Sequence, residues 1–211
     1  MKHMQETTLE IRHGDKLVII PTYNERENAE AIIRKVLSLP GEFHVLIIDD
    51  NSPDGTAAFV RELAGELAGR LHLLERDGKL GLGTAYIMGF KWALEHGYEY
   101  VFEMDADFSH NPDDLPRLLE ACENGADLAV GSRYSNGISV INWPFRRVLL
   151  SYGASVYVRL VTGMKIYDTT AGFVCYRRRL LEALPLDAIR MKGYGFQIEM
   201  KYTALRLGFT V

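Results

Sequence analysis

Leu17-Val18-Ile19-Ile20-Pro21-Thr22-Tyr23-Asn24-Glu25-Arg26-Glu27-Asn28 opens the ordered part of the chain. Four consecutive apolar residues closed by proline predict a strand buried on both faces. Asn24 and Glu27 predict a capped helix start, the acid standing three residues after the cap. Ala29, Ile32, Ile33, Val36 and Leu37 then keep the helical spacing. A doubly buried strand followed at once by an amphipathic helix is the unit of a parallel sheet.

The unit repeats along the chain. A second apolar run, 45–48, ends in Asp49-Asp50, and a turn at 51–55 leads into a helix over 56–68. A short strand is expected at 71–74, a helical stripe on Ala85, Met88, Gly89, Trp92 and Ala93, and a fourth strand at 100–104. A helix over 112–124 and a strand over 128–130 follow. This predicts an α/β fold: a mostly parallel, Rossmann-like sheet with helices on both faces. After Arg133 the pattern changes to a loop at 135–142, a long helix on Phe145, Val148, Leu149, Tyr152, Val156 and Leu160, a strand at 173–176 and a last helix over 196–207. Residues 1–16 read as a polar tail and 17–211 as one domain. Within it, 17–110 forms a nucleotide-binding half and 111–211 a half shaped for a second substrate.

Composition narrows the function. The chain has 211 residues, 47% hydrophobic and 25% charged, the profile of a globular protein. With 24 Lys+Arg against 28 Asp+Glu the net charge is -4, so no general nucleic-acid surface is expected. Two cysteines, Cys122 and Cys175, make neither a disulfide framework nor a zinc cluster. The best apolar stretch, 148–158, is too short to span a bilayer and lies between Arg147 and Arg159. No signal peptide is visible, and a cytoplasmic location is expected.

Ligands in open parallel sheets bind beyond the carboxyl ends of the strands. Three such ends are polar here: Pro21 to Glu25, Asp49-Asp50, and Asp105-Ala106-Asp107. Two carboxylates as close as Asp105 and Asp107 repel unless a cation joins them. Hard ions such as Mg²⁺ or Mn²⁺ suit one or two carboxylates plus substrate phosphates. The acid pair after the second strand fits a phospho-acceptor receiver poorly, because receivers carry theirs at the first; such acids can instead bond ribose or a base edge. Gly81-Leu82-Gly83 lacks the third glycine of a dinucleotide fingerprint, since Tyr86 stands there, and reads as a turn opening a helix. No nucleophile elbow or P-loop occurs. Arg147 and Ser151, four apart on one helix face, suit a phosphate, with Arg133 and Arg146 nearby in sequence.

Taken in order, 21–28, 48–56 (Ile48-Asp49-Asp50-Asn51-Ser52-Pro53-Asp54-Gly55-Thr56), 80–86 (Leu80-Gly81-Leu82-Gly83-Thr84-Ala85-Tyr86), 104–110 (Met104-Asp105-Ala106-Asp107-Phe108-Ser109-His110) and 131–134 (Gly131-Ser132-Arg133-Tyr134) resemble the dolichol/polyprenol-phosphate mannose synthases of glycosyltransferase family 2. The resemblance covers 17–211 and implies the GT-A fold. It also implies inverting, metal-dependent transfer of mannose from GDP-mannose to a polyprenyl phosphate at the cytoplasmic face of a membrane. Carried over by motif, Pro21, Tyr23, Glu25, Ile48 and Asp50 would hold the nucleotide. Asp105, Ala106 and Asp107 would meet the diphosphate and the Mg²⁺ or Mn²⁺. Arg133, Arg147 and Ser151 would serve the acceptor phosphate, Arg133 would also contact the nucleotide sugar, and Asp105, Asp107 and Arg133 would be the catalytic set. Some relatives have Gln, a metal ligand, where Ser109 stands. Relatives also continue past Val211 with a strand and a basic loop. The chain is therefore expected to be incomplete at that end, to bind GDP better than it transfers mannose, and to rely on a membrane-anchoring partner or segment. Two alternatives remain: a family member using another sugar nucleotide or a saccharide hydroxyl, with Asp168 or Glu199 as base, and a nucleotide-sugar-binding protein without turnover.

Overall fold

The computed structural model describes residues 15–67, 69–133 and 145–211, with side chains left out for 145–150. Six strands form one sheet: β1 (Lys16–Thr22), β2 (Phe43–Asp49), β3 (Leu71–Glu75), β4 (Tyr100–Glu103), β5 (Leu128–Val130) and β6 (Val174–Arg177). Their order is β3-β2-β1-β4-β6-β5. β1 runs parallel to β2 and β4, and β2 to β3, while β6 is antiparallel to β4 and β5. The expected mostly parallel sheet is therefore present, with one reversed strand inserted between β4 and β5.

Alternate side chains on a strand point to opposite faces, and β1 shows it directly. Val18 and Ile20 join one buried cluster with Val45 and Ile47, covered by α1 (Arg26–Leu37), α2 (Thr56–Glu66) and α4 (Leu115–Glu123). Leu17 and Ile19 join the other with Leu46 and Ile48, covered by α3 (Leu82–Glu95), α6 (Arg178–Ala183) and α7 (Tyr194–Arg206). α5 (Phe145–Thr162) precedes β6. Gly89 lets α3 approach the sheet: a Cβ there would lie 2.8 Å from Ile19 Cδ1 and 2.9 Å from Ile48 Cδ1.

The start of α1 corrects one expectation, and two features of the second half lie outside those the sequence predicts. Asn24 does not cap α1. It has φ 60, Glu25 occupies the cap position, and no side chain of α1's own start caps it. The 52–56 turn supplies the acceptors instead: Asn24 N–H donates to Ser52 Oγ (3.0 Å), Glu25 N–H to Thr56 Oγ1 (3.3 Å) and Arg26 N–H to Asp54 Oδ2 (3.1 Å). A sequence window cannot register a cap lent by a loop about 28 residues away. Residues 208–211 hold no strand. The Thr210 carbonyl nevertheless accepts from Asp127 and Leu128 N–H (2.8 and 3.1 Å), lying along the start of β5. α6 was not anticipated; it spans only six residues, too few for a periodic signal.

Candidate active site

The chain leaves β1 for α1 and β2 on one side, and β4 pairs with β1 on the other. The crevice beyond the carboxyl ends of β1, β2 and β4 is thus the switch point where such sheets bind ligands.

The two acids after β2 have separate jobs. Asp49 is fully buried and accepts from Thr22 Oγ1 (2.9 Å), Ser52 Oγ (2.6 Å) and Ser52 N–H (2.8 Å), tying β1 to the following turn. Asp50 faces a buried guanidinium: Arg76 Nε and Nη2 both approach its Oδ1, at 2.6 and 2.5 Å. Arg76 Nη1 donates to Thr84 Oγ1 (2.7 Å) at the start of α3. Sequence reading missed Arg76, because a single arginine after a strand carries no pattern. Pro21 is half-buried, and Glu25 accepts from Asn28 Nδ2 at 3.0 Å. Tyr23 lies exposed under the Lys79 ammonium, 3.9 Å from the ring centre. Ile48 is fully buried against α3, so its side chain belongs to the core and only its backbone reaches the rim.

Asp105, Ala106 and Asp107 follow β4 directly. Ala106 is buried, Asp105 partly exposed and Asp107 exposed. Burial alone would raise the Asp107 carboxyl, but hydrogen bonds from the Ser109 hydroxyl and amide outweigh it and hold the group below its usual range. Ser109 N–H donates to Asp107 Oδ1 at 2.9 Å. His110 accepts the Asp105 N–H on Nδ1 (3.1 Å) and stacks on Phe173, ring centres 5.0 Å apart. Burial lowers its basicity against the pull of Asp105 and Asp107. The charges of Arg133 and Asp168 also act on this ring. His110 stands within a quoted motif, yet the sequence gave it no role.

The donor set fits a hard divalent ion. Among the described residues no group of three His, Cys, Asp or Glu could hold a metal. What remains is two carboxylates, with His110 Nδ1 already committed to a backbone amide. Such a set needs phosphate oxygens and water to complete the shell, which is how Mg²⁺ and Mn²⁺ are usually bound beside nucleotides.

On the other side of the crevice, Arg133 is clamped. Its Nε and Nη2 donate to Asp168 Oδ2 and Oδ1 (2.7 and 2.6 Å), its N–H to Oδ2 (3.0 Å), and Nη2 also reaches Thr170 Oγ1 (2.7 Å). Asp168 is fully buried. Ser151 Oγ lies 3.4 Å from Thr170 Oγ1. The structure thus brings Arg133 and Ser151 together through Thr170. Arg147 lies in the first turn of α5, and its side chain, like that of Arg146, is outside the described residues. Of the two candidate hydroxyl bases, Asp168 is bonded on both oxygens by Arg133, while Glu199 Oε2 accepts the Arg190 and Met191 amides (3.0 and 2.8 Å).

Beneath this surface lies a buried polar chain. Tyr176 O–H donates to Glu103 Oε1 (3.1 Å), Gln197 Nε2 donates to Glu103 Oε2, and Lys201 Nζ donates to Gln197 Oε1 (3.0 Å) and the Ala171 carbonyl (2.7 Å). Burial raises the Glu103 carboxyl and lowers the Lys201 ammonium.

Comparison with known proteins identifies the family and the fold. The sequence matches Glycosyl transferase family 2 over residues 17–184. It is 51% identical over 195 residues to the polyprenol monophosphomannose synthase of Mycolicibacterium smegmatis, covering 92% of this chain and 74% of the relative. It is 47% identical over 192 residues to the undecaprenyl-phosphate mannosyltransferase of Micrococcus luteus, covering 91% and 78%. Among solved structures the fold is similar to glucosyl-3-phosphoglycerate synthase from Mycobacterium tuberculosis in complex with UDP (TM-score 0.63, 23% identity, 91% of this chain and 66% of that one). It is also similar to the mannosyltransferase PcManGT from Pyrobaculum calidifontis in complex with GDP-Man and Mn²⁺ (TM-score 0.59, 20% identity, 94% and 53%). The fold is therefore that of the GT-A glycosyltransferases, and the chain belongs to glycosyl transferase family 2, alongside the polyprenol-phosphate mannose synthases.

Proposed function

We propose that this protein transfers mannose from GDP-mannose to a polyprenyl phosphate, with inversion at the sugar and with Mg²⁺ or Mn²⁺ at Asp105 and Asp107. The observation that carries the reading is the occupancy of the acceptor side. Asp168, one of the two carboxylates suited to deprotonate a hydroxyl, is bound on both oxygens by the Arg133 guanidinium, and Glu199 Oε2 is held by two backbone amides. A sugar hydroxyl acceptor calls for a general base. A phosphate monoester has a second pKa of about 6 and is mostly dianionic at neutral pH, so it needs to be placed, not deprotonated.

Each part of the crevice has a share in that reaction. Pro21, Tyr23, Glu25, Asp50 and the Ile48 backbone would hold the nucleotide, with Arg76 fixing Asp50. The divalent ion supplies charge stabilisation for the departing diphosphate. Asp105 and Asp107 would hold it there, with the Ala106 backbone between them. Arg133, Ser151 and, on its helix, Arg147 would orient the acceptor phosphate for attack from the face opposite the leaving group. This assigns 17–110 to the donor and 111–211 to the acceptor. No helix among the described residues is long and apolar enough to cross a membrane. Peripheral attachment at the cytoplasmic face, aided by an anchoring partner or segment, suits an acceptor whose lipid tail stays in the bilayer.

The names of the relatives support the donor and acceptor. The test is incubation with GDP-mannose and a short polyprenyl phosphate, with Mn²⁺ and after chelation, followed by NMR of the anomeric carbon. Metal-dependent polyprenyl phosphate mannose of inverted configuration is expected. Transfer that survives chelation, or retains configuration, would overturn the reading.

A further inference from the structure

Lys201 is an expensive residue for its place. It sits on α7 with no exposed surface, among the largest fully buried side chains of the protein. A buried ammonium loses its hydration and is tolerated only when every proton finds an acceptor. Here three acceptors are present: the Ala171 carbonyl at 2.7 Å, Gln197 Oε1 at 3.0 Å and the Gln197 carbonyl at 3.3 Å. For stability alone an apolar side chain of similar volume serves as well or better at such positions. The contacts show what the charge does instead.

Gln197 anchors one end of this chain to Glu103, the last residue of β4 and two positions before Asp105. The other end is the carbonyl of Ala171, whose N–H closes a turn by donating to the Asp168 carbonyl at 3.5 Å. That turn bears the two side chains that bond the Arg133 guanidinium among the described contacts: Asp168 with both carboxylate oxygens, and Thr170 with its hydroxyl. Toward α5, the contacts among the described residues are between hydroxyls, Thr169 to Ser155 at 3.3 Å and Thr170 to Ser151 at 3.4 Å. Lys201 makes the short, charge-assisted contact on the opposite side.

We infer that Lys201 is a positioning residue for the acceptor side of the reaction: by pinning the 168–171 turn through the Ala171 carbonyl to the end of β4, it sets where Asp168 holds the Arg133 guanidinium. The inference rests on the reading of Arg133 as an acceptor-phosphate residue. Lys201 touches no substrate and acts only through Arg133. Because the strut starts at β4, it ties the acceptor arginine to the strand that carries Asp105 and Asp107. A shift of about 1 Å in such a group costs on the order of 100-fold in rate.

A double-mutant cycle of K201M and R133A tests this. K201M keeps the length and removes the charge. In the wild-type background K201M is expected to lower kcat/KM for polyprenyl phosphate by about 10- to 100-fold, while the affinity for GDP with Mn²⁺ changes less than about twofold. In the R133A background the same substitution is expected to change kcat/KM by less than about threefold, because the residue it positions is gone. K201Q, which retains an N–H donor, is expected to recover part of the loss. It also replaces K201M in the cycle if that variant does not melt cooperatively. Equal losses from the Lys201 substitution in both backgrounds, or a matching loss of GDP affinity, would show a merely structural role and overturn the inference. Wild-type turnover whose acceptor KM is unmoved by R133A would overturn the reading of Arg133, and this inference with it.

Discussion

Charge at single residues decides what this crevice holds. Asp50 and Arg76 are both buried and bonded through one carboxylate oxygen. Removing one partner of a buried pair strands the other charge, so R76M is expected to cost about 3–5 kcal/mol in urea unfolding. R76M combined with D50N should regain most of that; an additive loss in the double variant would show that the two do not act as a pair. Asp107 is the contrasting case, exposed and, among the described residues, bonded within its own turn. D107N should leave the melting temperature within about 2 °C of wild type yet remove the gain in GDP affinity that Mn²⁺ gives. Calorimetric titration with and without the metal checks this, and an unchanged metal effect would exclude Asp107 from the ion's shell.

At the scale of elements, close approach of backbone sets the sheet-to-helix distance. G89A places a methyl 2.8–2.9 Å from Ile19 and Ile48, both in the fully packed face under α3. Overpacking of this kind costs about 1–3 kcal/mol, and a shift of the urea midpoint reads it. D54A should cost about 1 kcal/mol, since Asp54 lends α1 its cap and bonds the Thr56 N–H and hydroxyl at 3.0 and 2.6 Å. These two positions mark how far the sequence could be read. β1 and β2 stand out because strands buried on both faces are unbroken apolar runs, and Asp105 and Asp107 because they follow the short apolar stretch of β4, which Glu103 closes. The α1 cap, the Asp50–Arg76 pair and the clamp of Asp168 on Arg133 all join residues 26 to 35 positions apart. The Glu103–Gln197 contact spans 94. No local pattern carries such pairings. The reversed β6 escaped for the same reason, because an apolar tetrad has no direction written in it.

The whole molecule joins a rigid sheet to a pH-sensitive flank and a two-sided crevice. At the start of β2 and within β3, the Tyr98 hydroxyl bridges His44 Nδ1 (2.9 Å) and His72 Nε2 (3.2 Å), and burial lowers both imidazoles below their ordinary pKa of 6.5. Groups that fold preferentially neutral contribute stability that is complete above about pH 6.5 and lost as pH falls through their lowered values. The melting temperature should therefore drop between pH 7 and pH 5, and the H44Q/H72Q variant should fall less steeply; equal slopes would remove these two from the account. The central claim concerns the crevice: its acceptor side places a phosphate by arginine and does not activate a hydroxyl by a base. The direct measurement is kcat/KM for mannosyl transfer from GDP-mannose to a polyprenyl phosphate against the same polyprenol without its phosphate, with Mn²⁺ present. The structure predicts transfer to the phosphate and at least about 1,000-fold less to the alcohol. Comparable transfer to both would contradict it, because Arg133 in the grip of Asp168 has nothing to hold on the alcohol.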